Sequence, residues 1–469
     1  METNLYPLSV KKLVLKKLST PTVAVMLLMV FFTLFTFKYW VCWNDYPFKG
    51  DIDQYYSYLV AEFIHHDFSF RFPHHYWLIE APTGEHVPKV TMGMAILYFP
   101  FFIIGNNIAH TFDYDPLGYS APFAWCIHFG TIIYALIGFW YLRKLLLLFF
   151  SEWVSAITLF LVLFATNLFY YTFREGEMTH SYLFFLFSLF FYHTIKWHFT
   201  KKIKHLYFLS FIGGFITLIR PTEILVLIVP LLYQVTSLKT FQLKLKELFL
   251  LKWKLIAVII LFLIPIIPQL IFWKQHTGQF FFFSYGSNEK FYFADPKIYS
   301  VLFGWHKGWF IYTPIVIFMI TGLVMMFSKW KNMAVPIAVY IVLNIYMISC
   351  WWDWGFGGAF GMRALVQCFA FLSVPLAYFI QYLFSIKKKV LKISATALCF
   401  ALFSFFISLN IFQMWQIKNY VFHWDAMSKE AYRFTFFKTK YSQADGIYLE
   451  TLFIHPNYEA MRKGDRDEK

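Results

Sequence analysis

Runs of about 20 apolar residues recur along the whole of this 469-residue chain and alternate with short polar stretches. An apolar α-helix of about 20 residues is long enough to cross a lipid bilayer. The runs are continuous, whereas the strands of a membrane barrel alternate between apolar and polar residues. The pattern therefore predicts an all-α polytopic membrane protein with about eleven transmembrane helices.

The stretch 206–236 is too long for one span and is interrupted by the sequence Arg220-Pro221-Thr222-Glu223. Proline and charged residues are costly in the middle of a bilayer. We therefore predict two short helices that meet near the outer face at Arg220. The complete set of predicted spans is 23–43, 123–142, 154–171, 181–197, the two helices within 206–236, 255–273, 309–327, 335–349, 364–383 and 390–415.

Lysines set the predicted orientation, because cytoplasmic loops of membrane proteins are enriched in basic residues. Lys11, Lys12, Lys16 and Lys17 precede the first span, which places the N-terminus in the cytoplasm. The apolar run 93–109 is short and contains a proline, and a crossing there would turn the basic pair 143–144 outward. We therefore predict that this run is a juxtamembrane helix in the outer interface.

The predicted organisation has four parts. Residues 1–21 form a cytoplasmic segment, and residues 22–385 form a transmembrane module whose first outer loop is 44–120. Residues 386–415 form the last span, and residues 416–469 form a polar tail on the outer face. The predicted location is the cytoplasmic membrane, with the functional site on the outer, periplasmic side.

The composition agrees with a membrane protein. The chain is 59% hydrophobic and 14% charged, whereas soluble proteins are about 25% charged. The net charge of +15 is explained by lysines that lie near anionic lipid, so nucleic acid is not a predicted partner. The five cysteines show no metal-binding or redox spacing and no disulfide framework.

The unusual polar residues gather on the predicted outer face, whereas a channel or transporter more often places such residues near the midplane. Chemistry on the outer face is therefore the favoured interpretation. The residues concerned are Asp51, Asp53, Arg174, Glu175, Glu177, His180, Arg220, Glu223, His306, Lys307, Asp353 and Arg363.

Asp51 and Asp53 follow directly on the first span. Either could serve as a general base or as a metal ligand, or could simply cap a helix in solvent. Two positions apart, they cannot share one face of a strict helix, but a loop that enters a helix could aim both at one spot. Arg220 and Arg363 lie beside Pro- or Gly-rich turns. Their planar guanidinium groups suit a phosphate, although an arginine at this depth could also reach to the lipid interface.

Aromatic residues accompany these charges. Tyr55, with two further tyrosines, and Trp352, with two further tryptophans, could form a belt at the lipid interface or could stack on a sugar ring. Lys89 belongs to the polar part of the first outer loop, and His306-Lys307 could supply a second phosphate contact.

The run Gly50-Asp51, followed by Tyr55-Tyr56-Ser57-Tyr58, resembles the first outer loop of the GT-C superfamily of membrane glycosyltransferases. That group includes protein O-mannosyltransferases and the aminoarabinose transferase of lipid A. The resemblance extends over about residues 20–385, with further similar stretches in the same order at 93–102, 174–182, 218–222, 305–314 and 357–363.

The resemblance implies an inverting glycosyltransferase that moves a sugar from a polyprenyl-phosphate donor to a hydroxyl of a glycan, lipid or protein acceptor. It makes Asp51 the base, although Ile52 stands where the family usually has an acidic residue or proline, so Asp53 stays a candidate. Family members with monophosphate donors generally work without a metal. No cofactor is therefore predicted, although Asp51 and Asp53 could share a divalent cation.

The remaining predicted roles follow from the same resemblance. Donor phosphate binding falls to Arg363, Arg220, His306 and Lys307. Acceptor or sugar binding and support of the site fall to Tyr55, Lys89, Arg174, Glu175, His180, Trp352 and Asp353. Two alternatives are a transporter, flippase or polymerase-like protein that handles polyprenyl-linked glycans, and a different head-group transferase.

Overall fold

The protein was analysed as a computed structural model, which describes residues 20–39, 48–72 and 78–467. The predicted cytoplasmic segment lies almost wholly outside the described residues, as do the last four residues of the first predicted span. Within the described part, the chain is built almost entirely of α-helices, so the predicted all-α class is confirmed. The exception is a small antiparallel ribbon in the predicted first outer loop, which the sequence pattern did not predict. Its strands are β1 (Leu78–Glu80) and β2 (His86–Pro88).

The α-helices of the described residues are α1 (Pro21–Tyr39), α2 (Asp51–Val60), α3 (Gly93–Thr111), α4 (Ala121–Leu146), α5 (Glu152–Phe164), α6 (Leu168–Phe173), α7 (Thr179–Thr200), α8 (Ile203–Ile219), α9 (Ile228–Leu232), α10 (Leu238–Phe249), α11 (Trp253–Leu263), α12 (Ile267–Thr277), α13 (Ile298–Phe303), α14 (Trp309–Tyr312), α15 (Val316–Lys329), α16 (Lys331–Cys350), α17 (Phe369–Ser385), α18 (Lys389–Lys418), α19 (Lys429–Thr435), α20 (Gln443–Leu452) and α21 (Tyr458–Lys463). A π-helical turn follows α2 at Ala61–His65, and 3-10 turns occupy Pro221–Leu227 and Arg363–Cys368.

Five helical segments of the described chain are long and apolar enough to cross a membrane, and six if the bent pair α11–α12 counts as one. They are α3, α4, α16, the segment Arg363–Ser385, and α18. The predicted spans 23–43, 154–171, 309–327 and the two within 206–236 hold shorter apolar helices, whereas 181–197 holds the 22-residue helix α7, which is not among the five. The membrane-protein class is therefore supported, and the count of about eleven spans stays a prediction.

Helix α3, predicted to lie in the outer interface, is among these five by length and composition alone. It packs antiparallel along the first half of α4. The Tyr134 hydroxyl donates to the carbonyl of Leu97 at 3.0 Å, and Gly105 lies against the backbone of Phe123. The absence of a side chain at Gly105 permits this close approach, as small residues do between membrane helices.

The predicted break at Arg220 is confirmed. Helix α8 ends at Ile219, and Arg220 is extended, with φ of −142° and ψ of 106°, before the 3-10 turn begins at Pro221. Proline restricts the residue before it and lacks a backbone donor, so the helix ends there. Buried Glu223 accepts hydrogen bonds from Tyr340 at 2.8 Å and from Gln367 at 2.6 Å. These two donors supply the hydrogen bonds that its carboxylate needs among apolar helices.

The tail that follows α18 is folded rather than extended. Its three short helices α19, α20 and α21 return to the loops near Asp51, and its Arg466 is 1% exposed. Arg466 donates to the main-chain carbonyls of Ser349 at 3.1 Å and Trp351 at 2.9 Å, and to that of Asp295. The last described residues are therefore fastened between two loops of the transmembrane module.

Candidate functional site

An ion pair between Asp51 and Arg363 stands at the centre of the site. Asp51 opens helix α2 directly after Gly50, whose φ of 55° suits glycine. Its Oδ2 lies 3.7 Å from Nη2 of Arg363, and the two side chains are 44% and 15% exposed respectively. Arg363 follows the glycine-rich loop 357–362 and opens a 3-10 turn. Two residues far apart in sequence therefore meet at one open position.

Asp53 does not share that position. It lies in the same helix as Asp51, and two helical positions rotate a side chain by about 200°. Asp53 is also fully buried, with 0% exposure. The expectation that the chain aims both carboxylates at one spot is therefore wrong, because the helix begins at Asp51 itself. Over residues 20–39, 48–72 and 78–467, no group of three or more His, Cys, Asp or Glu side chains could hold a metal ion.

Arg220 adds a second guanidinium group at the same end of the bundle. Its Nη1 lies 4.0 Å from Oε1 of Glu223 and has no hydrogen-bond partner. The Arg220 guanidinium carbon lies 5.6 Å from the ring centre of Phe356, in the glycine-rich loop. An arginine with an unused donor beside a second arginine is well suited to an anionic group with several oxygens.

His180 is a buried polar group with unused capacity. It is 3% exposed, its ring packs 4.6 Å from that of Tyr171, and neither ring nitrogen has a hydrogen-bond partner. Both Arg363 and Arg220 are close enough to act on it electrostatically. Buried polar groups are normally hydrogen-bonded, so an unsatisfied histidine on which two arginines act electrostatically marks a place for a ligand.

The charge of Asp51 acts on two tyrosines, Tyr55 and Tyr285. Burial, followed by the charge of Asp51, raises the pKa of Tyr55 well above its usual value and raises the pKa of Tyr285 to about 12. Both phenols therefore stay neutral at physiological pH and can donate hydrogen bonds. Tyr55 was predicted, whereas Tyr285 comes from the aromatic loop 274–308 and was missed.

His306 and Lys307 form a second, buried layer together with the tail. His306 Nε2 lies 2.9 Å from the carbonyl oxygen and 3.3 Å from Oδ1 of Asp425. Tyr458 donates to the same carboxylate at 2.5 Å. The Lys307 ammonium donates to the carbonyl of Ala359 at 2.6 Å and to that of Trp424. Both predicted phosphate ligands are thus already engaged by protein groups.

The charges of this buried layer are tightly coupled. Burial lowers the pKa of Lys307 to about 8, and nearby Asp425 opposes that shift. Burial raises the pKa of Asp353 to about 6 against the opposing charge of Arg363. Burial also raises the pKa of Glu175, which accepts a 2.6 Å hydrogen bond from Tyr170 and feels the charge of Arg174.

The rim of the site joins three separate segments. Lys89 lies 2.5 Å from Glu289, and Arg462 of the tail lies 3.5 Å from the same carboxylate. The Arg462 guanidinium also stands 4.7 Å from the ring centre of Trp352. The predicted residues Lys89 and Trp352 are therefore bridged by residues that the sequence did not suggest.

The structure sorts the predicted residues into three groups. Asp51, Arg363, Arg220, Tyr55 and His180 surround the open centre. Arg174, Glu175, His306, Lys307 and Asp353 belong to the layer around and behind it, and Lys89 and Trp352 lie at the rim. The residues that sequence reasoning missed are Tyr285, Glu289, Asp425, Tyr458 and Arg462. The sequence showed only that these residues lie in polar or aromatic segments on the predicted outer face of the membrane.

The comparisons with known proteins do not add a family to this geometry. The sequence matches no protein-family model, and a search of curated proteins finds no similar protein.

Proposed function

We propose that this protein is an inverting glycosyltransferase that moves a sugar from a polyprenyl-phosphate donor to an acceptor hydroxyl on the outer face of the cytoplasmic membrane. The observation that carries the proposal is the partly exposed Asp51 carboxylate opposite Arg363, at 3.7 Å, with the unused donor of Arg220 at the same end. A base and an anion site side by side are what this transfer needs.

The donor phosphate is assigned to the two arginines. Each guanidinium can bind two phosphate oxygens through parallel hydrogen bonds. His180 is the neutral group that completes this pocket, because both of its nitrogens are unused. Lys307 and His306 belong to the layer behind the two arginines and are not assigned a direct contact with the phosphate, because their hydrogen bonds are already made to Ala359, Trp424 and Asp425.

The transfer is a single displacement at the anomeric carbon. The acceptor oxygen forms a bond to that carbon while the bond from carbon to phosphate oxygen breaks, and the electron pair leaves with the phosphate. Arg363 and Arg220 stabilise the charge that collects there. Asp51 takes the proton from the acceptor hydroxyl. A phosphate leaves readily as an anion, so no general acid is required, in contrast to glycoside hydrolysis.

The base and the phosphate-binding group are adjacent. Oδ2 of Asp51 lies 3.7 Å from Nη2 of Arg363, so an acceptor hydroxyl at Asp51 and a donor phosphate at Arg363 are neighbours. Tyr55 and Tyr285, on which the charge of Asp51 acts, are neutral groups that can donate hydrogen bonds to the substrates.

The test is a transfer assay with the purified full chain and a panel of radiolabelled polyprenyl-phosphate hexoses and pentoses. The quantity measured is the polyprenyl phosphate released. We expect Asp51→Asn to lower the rate by about 10²–10⁴-fold, the usual contribution of a general base. Asp113→Asn is the matched control, because Asp113 is an exposed carboxylate of the same outer loop. Full activity of both Asp51→Asn and Asp51→Ala would refute the mechanism.

Two further measurements bear on the prediction. Mass spectrometry of envelope glycans, lipids and glycoproteins from a deletion strain would identify the acceptor as a species that loses a sugar. Chelation of divalent metals should leave transfer unchanged. A complete loss that Mn²⁺ restores would show that the predicted independence from metal is wrong.

A further inference from the structure

Helix α10 lies at the end of the bundle opposite the candidate site. It contacts the last turns of α7 near Trp197 and Lys201, about 25 Å along that helix from His180. Residues Leu238, Leu245 and Phe249 of α10 are 73%, 48% and 81% exposed. At 100° per residue they fall within one narrow arc of the helix. A helix of the chain thus turns its apolar face away from the protein.

The lysines of this helix are divided between two sides. Lys244 is buried, stands 5.5 Å from the ring centre of Trp197 and lies 3.4 Å from Glu247. Glu247 also pairs with Lys201 at 2.5 Å, so the helix's carboxylate is neutralised on the protein side. Lys239 and Lys246 are exposed and lie between that apolar arc and a second exposed apolar pair, Leu243 and Leu250, which are 57% and 62% exposed. Positive charge therefore borders the apolar face without an adjacent acid.

The helix is held firmly in this orientation. Ser237 and Thr240 form a reciprocal capping box at its start, and Gln234 just before it donates to the carbonyl of Asn332 at 3.1 Å. The exposed apolar face continues into α11, where Trp253 and Ile256 are 68% and 61% exposed. Lys252, which is also exposed, lies at this junction.

We infer that α10 is an in-plane helix that binds anionic phospholipid head groups through Lys239, Lys246 and Lys252. An amphipathic helix with a cationic border inserts its apolar face at the level of the acyl chains and keeps its lysines at the phosphates. The continuous apolar surface from α10 to α11 places the helix at that boundary. The inference does not depend on the transferase proposal.

The test is the lipid content of the purified full chain in nanodiscs made of equal parts phosphatidylglycerol and phosphatidylcholine. We expect the wild-type protein to retain phosphatidylglycerol preferentially when bound lipids are counted by native mass spectrometry. The variant K239Q/K246Q/K252Q should lose that preference, by up to about fivefold for each lysine, because a basic residue at an anionic surface contributes about 1 kcal/mol.

Two variants control for folding and for total charge. K239R/K246R/K252R keeps the cations and should keep the preference, which excludes a mere effect of substitution in the helix. K429Q/K440Q/K463Q removes three exposed lysines from the tail and should also keep it. The inference is overturned if the wild type shows no preference, if the glutamine variant matches it, or if the tail variant loses as much.

Discussion

The buried charges of Lys307 and Asp425 offer a sharp test of the candidate site, because Asp425 of the tail acts electrostatically on Lys307, which precedes α14. The perturbation is Asp425→Asn, which removes the charge and keeps one acceptor oxygen, for either His306 at the Oδ1 position or Tyr458 at the Oδ2 position. The groups that act on Lys307 are Asp425, Asp353 and Glu175, which favour its charged form, and Arg363, which opposes it. Asp425 has the largest effect among them.

The magnitude follows from the pKa of Lys307. Burial lowers it from 10.5 to about 8, so the folded state is disfavoured by about 3 kcal/mol while the lysine is protonated. An adjacent opposite charge changes a pKa by about one to three units. A Lys307 whose pKa falls below 7 releases its proton in the folded state, which limits the cost at pH 7. Asp425→Asn should therefore lower the free energy of unfolding at pH 7 by about 1–1.5 kcal/mol.

The sign of the pH dependence is fixed. The folded pKa of Lys307 lies below the unfolded one, so the penalty is fully present below pH 8 and is relieved as the pH rises toward 10.5. The stability difference between wild type and variant should therefore grow as the pH falls below 8 and should fade at alkaline pH. If Lys307 must be charged to support the donor phosphate, the alkaline limb of the transfer rate should also move to lower pH in the variant.

The assay is thermal unfolding of the detergent-solubilised protein between pH 6 and 10.5, which needs no ligand, followed by the pH profile of transfer. Asp445→Asn is the control, because Asp445 is a tail carboxylate paired with Lys438 at 3.1 Å. A Lys307→Met background should abolish the pH-dependent difference. Identical pH dependence of unfolding for the wild type and Asp425→Asn would refute the reasoning.

Three further predictions concern the arginines and His180. Arg363→Lys keeps the charge but loses the planar pair of donors, so kcat should fall about 10²-fold at unchanged expression, as measured by transfer; an unchanged kcat would argue against phosphate binding there. His180→Phe should raise the KM for the donor about tenfold with little change in kcat, because one hydrogen bond is lost; a fall in kcat alone would contradict a binding role. Arg466→Met should destabilise the tail by about 3–5 kcal/mol through uncompensated buried groups, which limited proteolysis of residues 419–467 would detect as faster cleavage; equal cleavage rates would contradict the anchoring role.

Much of the architecture could be predicted because it depends on local composition. The lengths of the apolar runs and the proline after Arg220 are visible in the chain itself, and the helices follow them. The resemblance gives Asp51 and Arg363 roles in one reaction, and the charge rule predicts that both lie on the outer face, which agrees with the 3.7 Å contact between them.

The rest could not be predicted, because it depends on tertiary contacts between ordinary polar segments. Asp425 looks like any acidic residue of a polar tail until His306, Lys307 and Tyr458 are found around it. The spacing of Asp51 and Asp53 suggested that a loop could bring both carboxylates together. The helix begins directly after Gly50, a position that hydropathy does not reveal, so the two side chains point in different directions. The short ribbon of β1 and β2 has too few residues to show a strand period.

Arg466 has a consequence for biogenesis. The loops that surround the site are threaded early, yet the carbonyls of Asp295, Ser349 and Trp351 receive their buried partner only when residue 466 has been synthesised. Insertion of the helices and completion of the site are thus separate events in time. A chain that stops before residue 466 would leave an inserted but unfinished protein, which a quality-control protease could distinguish by its loose tail.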